Sequence, residues 1–217
     1  MPASIPPKKN VKELKKALKK GEVQIVQIGH PALHTIADAI PADDISSPKI
    51  KKLIADMKNA MDSQPDGIGL AAPQIGVTKR IFIVSGKVLL PPDERLLATE
   101  GKKIKTPVPP DMVFINPVIT KESKEKKWLD GEGCLSVRWL YGKVKRATKV
   151  TLRAYNEDGK IFERGASGLM AHIFQHEVDH LDGILFIDKA KDVQELDAGA
   201  DGHTHTHHEE EDQLSHV

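Results

Sequence analysis

Cys134, the only cysteine of the chain, stands in Glu132-Gly133-Cys134-Leu135-Ser136, and His176-Glu177-Val178-Asp179-His180 follows downstream. A thiol, two imidazoles and a carboxylate are the residue types of a hydrolytic metal site. Residues four apart on a helix share a face, so His176 and His180 can reach one ion. Glu177 is turned aside from that alignment, which suits a group that handles the proton of a water rather than the metal. The plainer alternative is two solvated histidines beside a surface carboxylate. The neighbours argue against it: Leu169, Met170, Ile173 and Phe174 precede the motif, and Leu181, Ile184, Leu185 and Phe186 follow it. In such an apolar setting titratable groups need partners, and a divalent ion supplies them.

The third ligand decides the chemistry. One metalloprotease class continues His-Glu-x-x-His-x-x-Gly-x-x-His; here Gly183 is in place, but Phe186 occupies the last position. A second class takes a downstream glutamate, and spacing alone leaves Glu195 open for that role. Cys134 is the better candidate. A lone cysteine is most often a small buried hydrophobe, yet Gly133 beside it and the polar Glu132 and Ser136 read as a tight turn. A metalloprotease using Glu195 and a non-catalytic metal-binding protein remain the alternatives.

Three blocks now stand in order: Gly67-Ile68-Gly69-Leu70-Ala71-Ala72-Pro73-Gln74, then Glu132 to Ser136, then Gln175-His176-Glu177-Val178-Asp179-His180-Leu181. Together they resemble the peptide deformylases, which remove the formyl group from the initiator methionine of nascent polypeptides. The resemblance spans about residues 23–191. It implies Cys134, His176 and His180 as metal ligands, with a fourth position left for water. The implied ion is ferrous iron, and the same donors accept zinc, nickel or cobalt. It further implies Glu177 as proton shuttle, and the Gln74 side-chain amide and Leu135 backbone N–H as oxyanion donors. A Glu132–Arg146 pair would fix the cysteine loop; otherwise Arg146 belongs to a solvated basic face with Lys143, Lys145 and Lys149. Two departures stand out. Arg138-Trp139-Leu140-Tyr141 follows Val137 where a proline is common, which implies a different shape for the substrate-entry loop. His172 stands where an arginine is frequent, and reads as a rim or packing residue rather than a fourth ligand.

Gly67-Ile68-Gly69 lacks the preceding strand and following helix that a dinucleotide loop requires. Glycine instead permits close backbone approach, so an extended peptide could add here as a strand. Ile68, Leu135 and Ile173 are candidate walls of a methionine pocket, with ordinary core as the alternative. Gly67, Ile68, Gly69, Gly133 and Ile173 are thus the substrate-binding candidates.

Several elements must position these groups. Ser47-Pro48 caps a helix in which Ile50, Leu53, Ile54, Met57 and Met61 repeat at helical spacing. Strand patterns fall at 81–84, 113–119 and 150–155, the last closed by Asn156-Glu157-Asp158-Gly159. A stretch with Pro91, Pro92, Pro107, Pro109 and Pro110 reads as a loop that shapes one rim of the cleft. The expected class is α+β, with short antiparallel or mixed sheets packed around a central helix that carries the metal motif.

Residues 1–22 form a lysine-rich extension, 23–195 a catalytic domain, and 196–217 a disordered histidine- and acid-rich tail. The extension is either a solvated segment or a basic helix, with organelle targeting or ribosome contact as lesser readings. A net charge of +1 over 217 residues gives no case for specific nucleic-acid binding. No apolar run approaches the ~20 residues that span a bilayer. An unpaired thiol points to a reducing compartment, the cytoplasm or else an organelle. The expected partners are formyl-methionyl nascent peptides.

Overall fold

The computed structural model describes residues 23–195; the lysine-rich 1–22 stretch and the 196–217 tail lie outside them. Helix α1 is Pro48–Asp62, opened as its sequence predicts by the Ser47 side chain accepting from the Ile50 N–H and by proline in the first turn. Strands β1 (Gly69–Ala71), β2 (Ile81–Val84), β3 (Met112–Glu122), β6 (Lys149–Tyr155) and β7 (Ile161–Ser167) form an antiparallel sheet in the order β1-β2-β3-β6-β7. Strands β4 (Lys126–Cys134), β5 (Val137–Ala147) and β8 (Lys191–Glu195) form a second, with β5 central. Helix α3, Gly168–Leu181, carries the histidine motif.

Side-chain alternation explains how the larger sheet holds both helices. Along β2, Ile81 and Ile83 join Val113 and Ile115 of β3 in packing on α1 through Ile54, Met57 and Met61. Phe82, Val84 and Phe114 face the other way, onto Ile173, Phe174 and Leu181 of α3. A strand covered on both faces must be apolar throughout, and Ile81-Phe82-Ile83-Val84 is. Phe82 stacks on Phe114 at 4.7 Å between centroids, and Phe174 meets Phe114 edge-on at 4.9 Å. These rings seat the rear of α3 two residues before His176. A separate cluster of Leu33, Val137, Val144, Leu185 and Phe186 anchors the smaller sheet.

The α+β expectation holds, with both sheets antiparallel. The proline-rich stretch is not all loop: Pro92–Thr99 forms a short helix, α2, because proline is well placed in a first helical turn. None of residues 85–111 lines the cleft described below, so this segment does not shape its rim.

Candidate functional site

Cys134 ends β4 and pairs across the ladder with Val137, leaving Leu135 and Ser136 as a two-residue hairpin turn. Helix α3 delivers His176 and His180 from one face. Cys134 Sγ lies 3.2 Å from His180 Nε2, and one donor atom from each of Cys134, His176 and His180 lies within 4.8 Å of the others. A tetrahedral ion with ordinary metal–sulfur and metal–nitrogen lengths spaces such donors by roughly 3.3–3.6 Å. The three residues therefore fit one ion. Burial pushes the Cys134 thiol up to about 12, with the Glu177 charge adding to it against a Ser136 backbone hydrogen bond. Burial, then the neighbouring His176, holds His180 well below the usual imidazole range, in the neutral form that ligates metal. Glu195 lies on the exposed strand β8, opposite Leu140, and is not part of this group.

Behind the donors Glu132 gathers a charged network. Its carboxylate accepts from His176 Nδ1 at 2.8 Å and from His172 Nε2 at 2.5 Å. It also accepts from Arg146 Nε at 3.1 Å and Nη2 at 2.5 Å. Arg146 donates its remaining arm to Asp179 Oδ2 at 2.6 Å, and Lys189 reaches Asp179 Oδ1 at the same distance. Burial alone would raise the Glu132 carboxyl, but the His172, His176 and Arg146 hydrogen bonds outweigh it and hold it far below the usual carboxylate range. The bond to Nδ1 orients the His176 ring, leaving Nε2 for the cavity side.

Glu177 is buried, and among the described residues its Oε2 has no hydrogen-bond partner. Burial, then the Glu132 charge, raises its carboxyl well above the ordinary value. Gln74 is held by the 3₁₀ turn Ala72–Ile75, where its Oε1 accepts from the Ala71 N–H at 2.7 Å. That bond turns Nε2 toward Cys134 Sγ, 3.5 Å away. Ile68, Gly69, Gln74, Gly133, Leu135 and Ile173 all line one cleft of about 430 Å³ with Cys134, His176 and Glu177. Among the described residues strand β1 forms one edge of the larger sheet, partnered by β2 alone.

Gly67 stands apart from the other substrate-binding candidates. It does not line the cleft; it closes the turn after α1, its N–H bonded to the Gln64 carbonyl, and a Cβ there would lie 2.7 Å from the Met61 carbonyl oxygen. Its glycine requirement is local packing.

Four contributors escaped the sequence reading or were underread. His172 lines the cleft but also binds Glu132. Gln175 pins α3 to the end of β5, donating to the Ala147 carbonyl and accepting from its N–H. Asp179 holds Arg146. The signal for these three was present: polar residues on a buried helix need partners, whichever residues those are. The fourth is Gln27, in a segment that spans the site. The Val26 N–H donates to the Gln74 carbonyl, the Ile28 N–H to the Ser136 carbonyl, and Gln27 Nε2 to the Leu135 carbonyl.

A family model described as polypeptide deformylase matches residues 23–196. The chain belongs to the peptide deformylase family. It is 43% identical over 169 residues to peptide deformylase 1A, chloroplastic/mitochondrial, of Arabidopsis thaliana, a match covering 76% of this chain and 60% of that relative's length. With a peptide deformylase of Desulfitobacterium hafniense the identity is 39% over 168 residues, covering 77% and 94%. Among solved structures, the Met-Ala-Ser-bound class I type b peptide deformylase from Acinetobacter baumannii superposes with a TM-score of 0.64 at 33% identity, covering 76% of this chain and 96% of that one. Peptide deformylases are hydrolases of N-formylmethionyl peptides, and this chain is a member of that enzyme family with its α+β fold.

Proposed function

We propose that this chain hydrolyses the N-formyl group from the formyl-methionine of nascent polypeptides, releasing formate and a free amino terminus. The observation that carries the reading is the convergence of Cys134, His176 and His180 within 4.8 Å, with Glu177 and Gln74 lining the same cleft. Cys134, His176 and His180 would hold a divalent ion. Such an ion lowers the pKa of water toward ~7 and polarises a carbonyl. Iron(II) is the ion we assign, with zinc, nickel and cobalt the other metals this donor set accepts.

The chain's own groups supply the rest. Glu177 takes the proton of the attacking water and returns it to the departing amine; its carboxylate lines the cleft, and its Oε2 makes no hydrogen bond within the described residues that would hold it from that task. Gln74 Nε2, fixed by the Ala71 anchor, and the Leu135 backbone N–H donate to the formyl oxygen as negative charge develops on it. Glu132 and Arg146 hold the His176 ring in place from behind. The peptide adds along the outer edge of β1 at Ile68 and Gly69, and its methionine side chain enters the recess walled by Ile68, Leu135 and Ile173. Backbone pairing reads little sequence, so such a site accepts many nascent chains.

Among the described residues no helix is long and apolar enough to cross a membrane. We place the enzyme in the cytoplasm, with an organelle as the alternative carried by the name of the Arabidopsis relative; ribosome contact through the lysine-rich 1–22 stretch belongs to the same reading. The decisive experiment is formate release from formyl-Met-Ala-Ser by anaerobically purified, iron-loaded protein, with the acetylated peptide as control. Turnover of the formyl peptide alone is expected; none in fully metallated protein would overturn the assignment.

A further inference from the structure

The strand after the cysteine turn departs from regular pairing. Gly133 pairs with Tyr141 and the next residue, Cys134, with Val137, so Arg138, Trp139 and Leu140 bulge out with no counterpart on β4. Bulges beside functional sites re-aim side chains. Trp139 at its centre has φ 70°, a left-handed conformation that bulky residues rarely adopt. Trp139 is 42% exposed, although it lines the cleft. A strained residue persists only where its surroundings over-determine it.

Arg138 is one such constraint. Its guanidinium donates to Asp66 Oδ2 and to Gln64 Oε1, each at 2.6 Å. Asp66 also lines the cleft, so Arg138 ties the bulge to the segment that follows α1. The Arg138 and Asp66 charges answer each other, and Asp130 on the rim is paired with Lys143 at 2.9 Å. With those charges paired, Trp139 is the large exposed apolar side chain that the bulge adds to the cleft lining.

We propose that Trp139 is a specificity-determining residue that contacts one of the two substrate residues after formyl-methionine and favours aromatic or large apolar side chains there. This rests on the deformylase reading. In an extended peptide successive side chains turn to opposite faces. With methionine in the recess, the residues after it lie toward the mouth, where Trp139 stands.

The test compares kcat/KM for formyl-Met-Phe-Ala and formyl-Met-Ala-Phe with formyl-Met-Ala-Ala in iron-loaded wild type, Trp139→Gly and Trp139→Phe. Glycine accepts φ 70° without strain, so the first variant is expected to fold. At least one phenylalanine peptide should be favoured about threefold to tenfold by wild type, the range that one aromatic contact supplies. Trp139→Gly should bring that ratio near one, and Trp139→Phe should keep it above one. The ratio is the readout, because a general loss of activity moves all three peptides together. Equal use of the three peptides by wild type, or an aromatic preference that survives in Trp139→Gly, overturns the proposal while leaving deformylation intact. Failure of metallated wild type to turn over any formyl peptide overturns the deformylase reading itself, and this proposal with it.

Discussion

Glu177 Oε1 lies 2.5 Å from the point at which a side chain on Gly69 would begin. The hydrogen atom of that glycine is what leaves room for the buried carboxylate, and Ile173 at 3.1 Å closes the other side. Gly69→Ala should displace the carboxyl by a fraction of an ångström to an ångström. Misplacement on that scale costs up to about 100-fold in rate. Formate release should fall accordingly while bound metal, measured by elemental analysis, stays unchanged. Wild-type turnover in this variant would show that the carboxylate needs no fixed position.

Replacing the same carboxylate by its amide keeps the shape and removes the base. Glu177→Gln should retain metal and lose about 10²–10⁴ in kcat. Undiminished kcat would remove Glu177 from the mechanism and favour a merely metal-binding protein.

Gln74→Met removes the Nε2 donor and the Ala71 anchor together, in nearly the same volume. The kcat should drop by about 10²–10³ with a smaller change in KM, as for loss of one oxyanion donor. Loss of the Ala71 bond should also cost about 1 kcal/mol of stability. Denaturant titration separates the two effects, and a variant destabilised but fully active would assign Gln74 to structure alone.

Side chains of Arg146 and Glu132 are 4% and 2% exposed. Arg146→Met would leave the Glu132 and Asp179 charges without their central cation, and breaking a buried pair in this way costs about 3–5 kcal/mol. Metal affinity should weaken about 10–100-fold through the loosened His176 ring. The pH dependence follows from the depressed Glu132 carboxyl. A group whose folded pKa is lowered stabilises the fold above its unfolded value, and that stability is lost as pH falls toward the folded one. Removing one of the depressing partners should shift acid unfolding to higher pH than in wild type. Coincident acid transitions would show that His172 and His176 suffice.

A thiol pushed up to about 12 is protonated in the metal-free protein at neutral pH, whereas the ligand must be thiolate. His180 is already neutral. Metal binding should therefore release about one proton from Cys134, and apparent affinity should fall about tenfold per unit of decreasing pH. Calorimetric titration in buffers of different ionisation enthalpy measures the proton directly, and a value of zero would exclude Cys134 as the ligand that gives it up.

Much of this site could be read from the chain because its chemistry is packed into short strings. His176, Glu177 and His180 sit within one helical turn, and the apolar residues around them announced a buried helix. The hairpin that presents Cys134 was harder to see. Strands β4 and β5 carry Lys126, Lys127, Lys143 and Lys145 on a largely solvated sheet, so the alternation of apolar residues that marks a strand is blurred. Helix α2 hid behind prolines that read as loop but suit a first turn. The His172–Glu132 and Arg146–Asp179 contacts join residues 40 and 33 apart, and no local pattern encodes such partnerships.

Val26, Gln27 and Ile28 form a splint between two loops that are otherwise far apart in the chain. Three hydrogen bonds fasten the Gln74 loop on one side and the Leu135–Ser136 turn on the other, so the spacing of the two proposed oxyanion donors is set by a stretch that bears no reactive group. The Leu135–Ser136 turn follows directly on Cys134, and the Ser136 N–H bonds its sulfur. Trimming the chain past Ile28 should therefore loosen the Gln74 loop and the cysteine turn together, through a stretch remote from both in sequence.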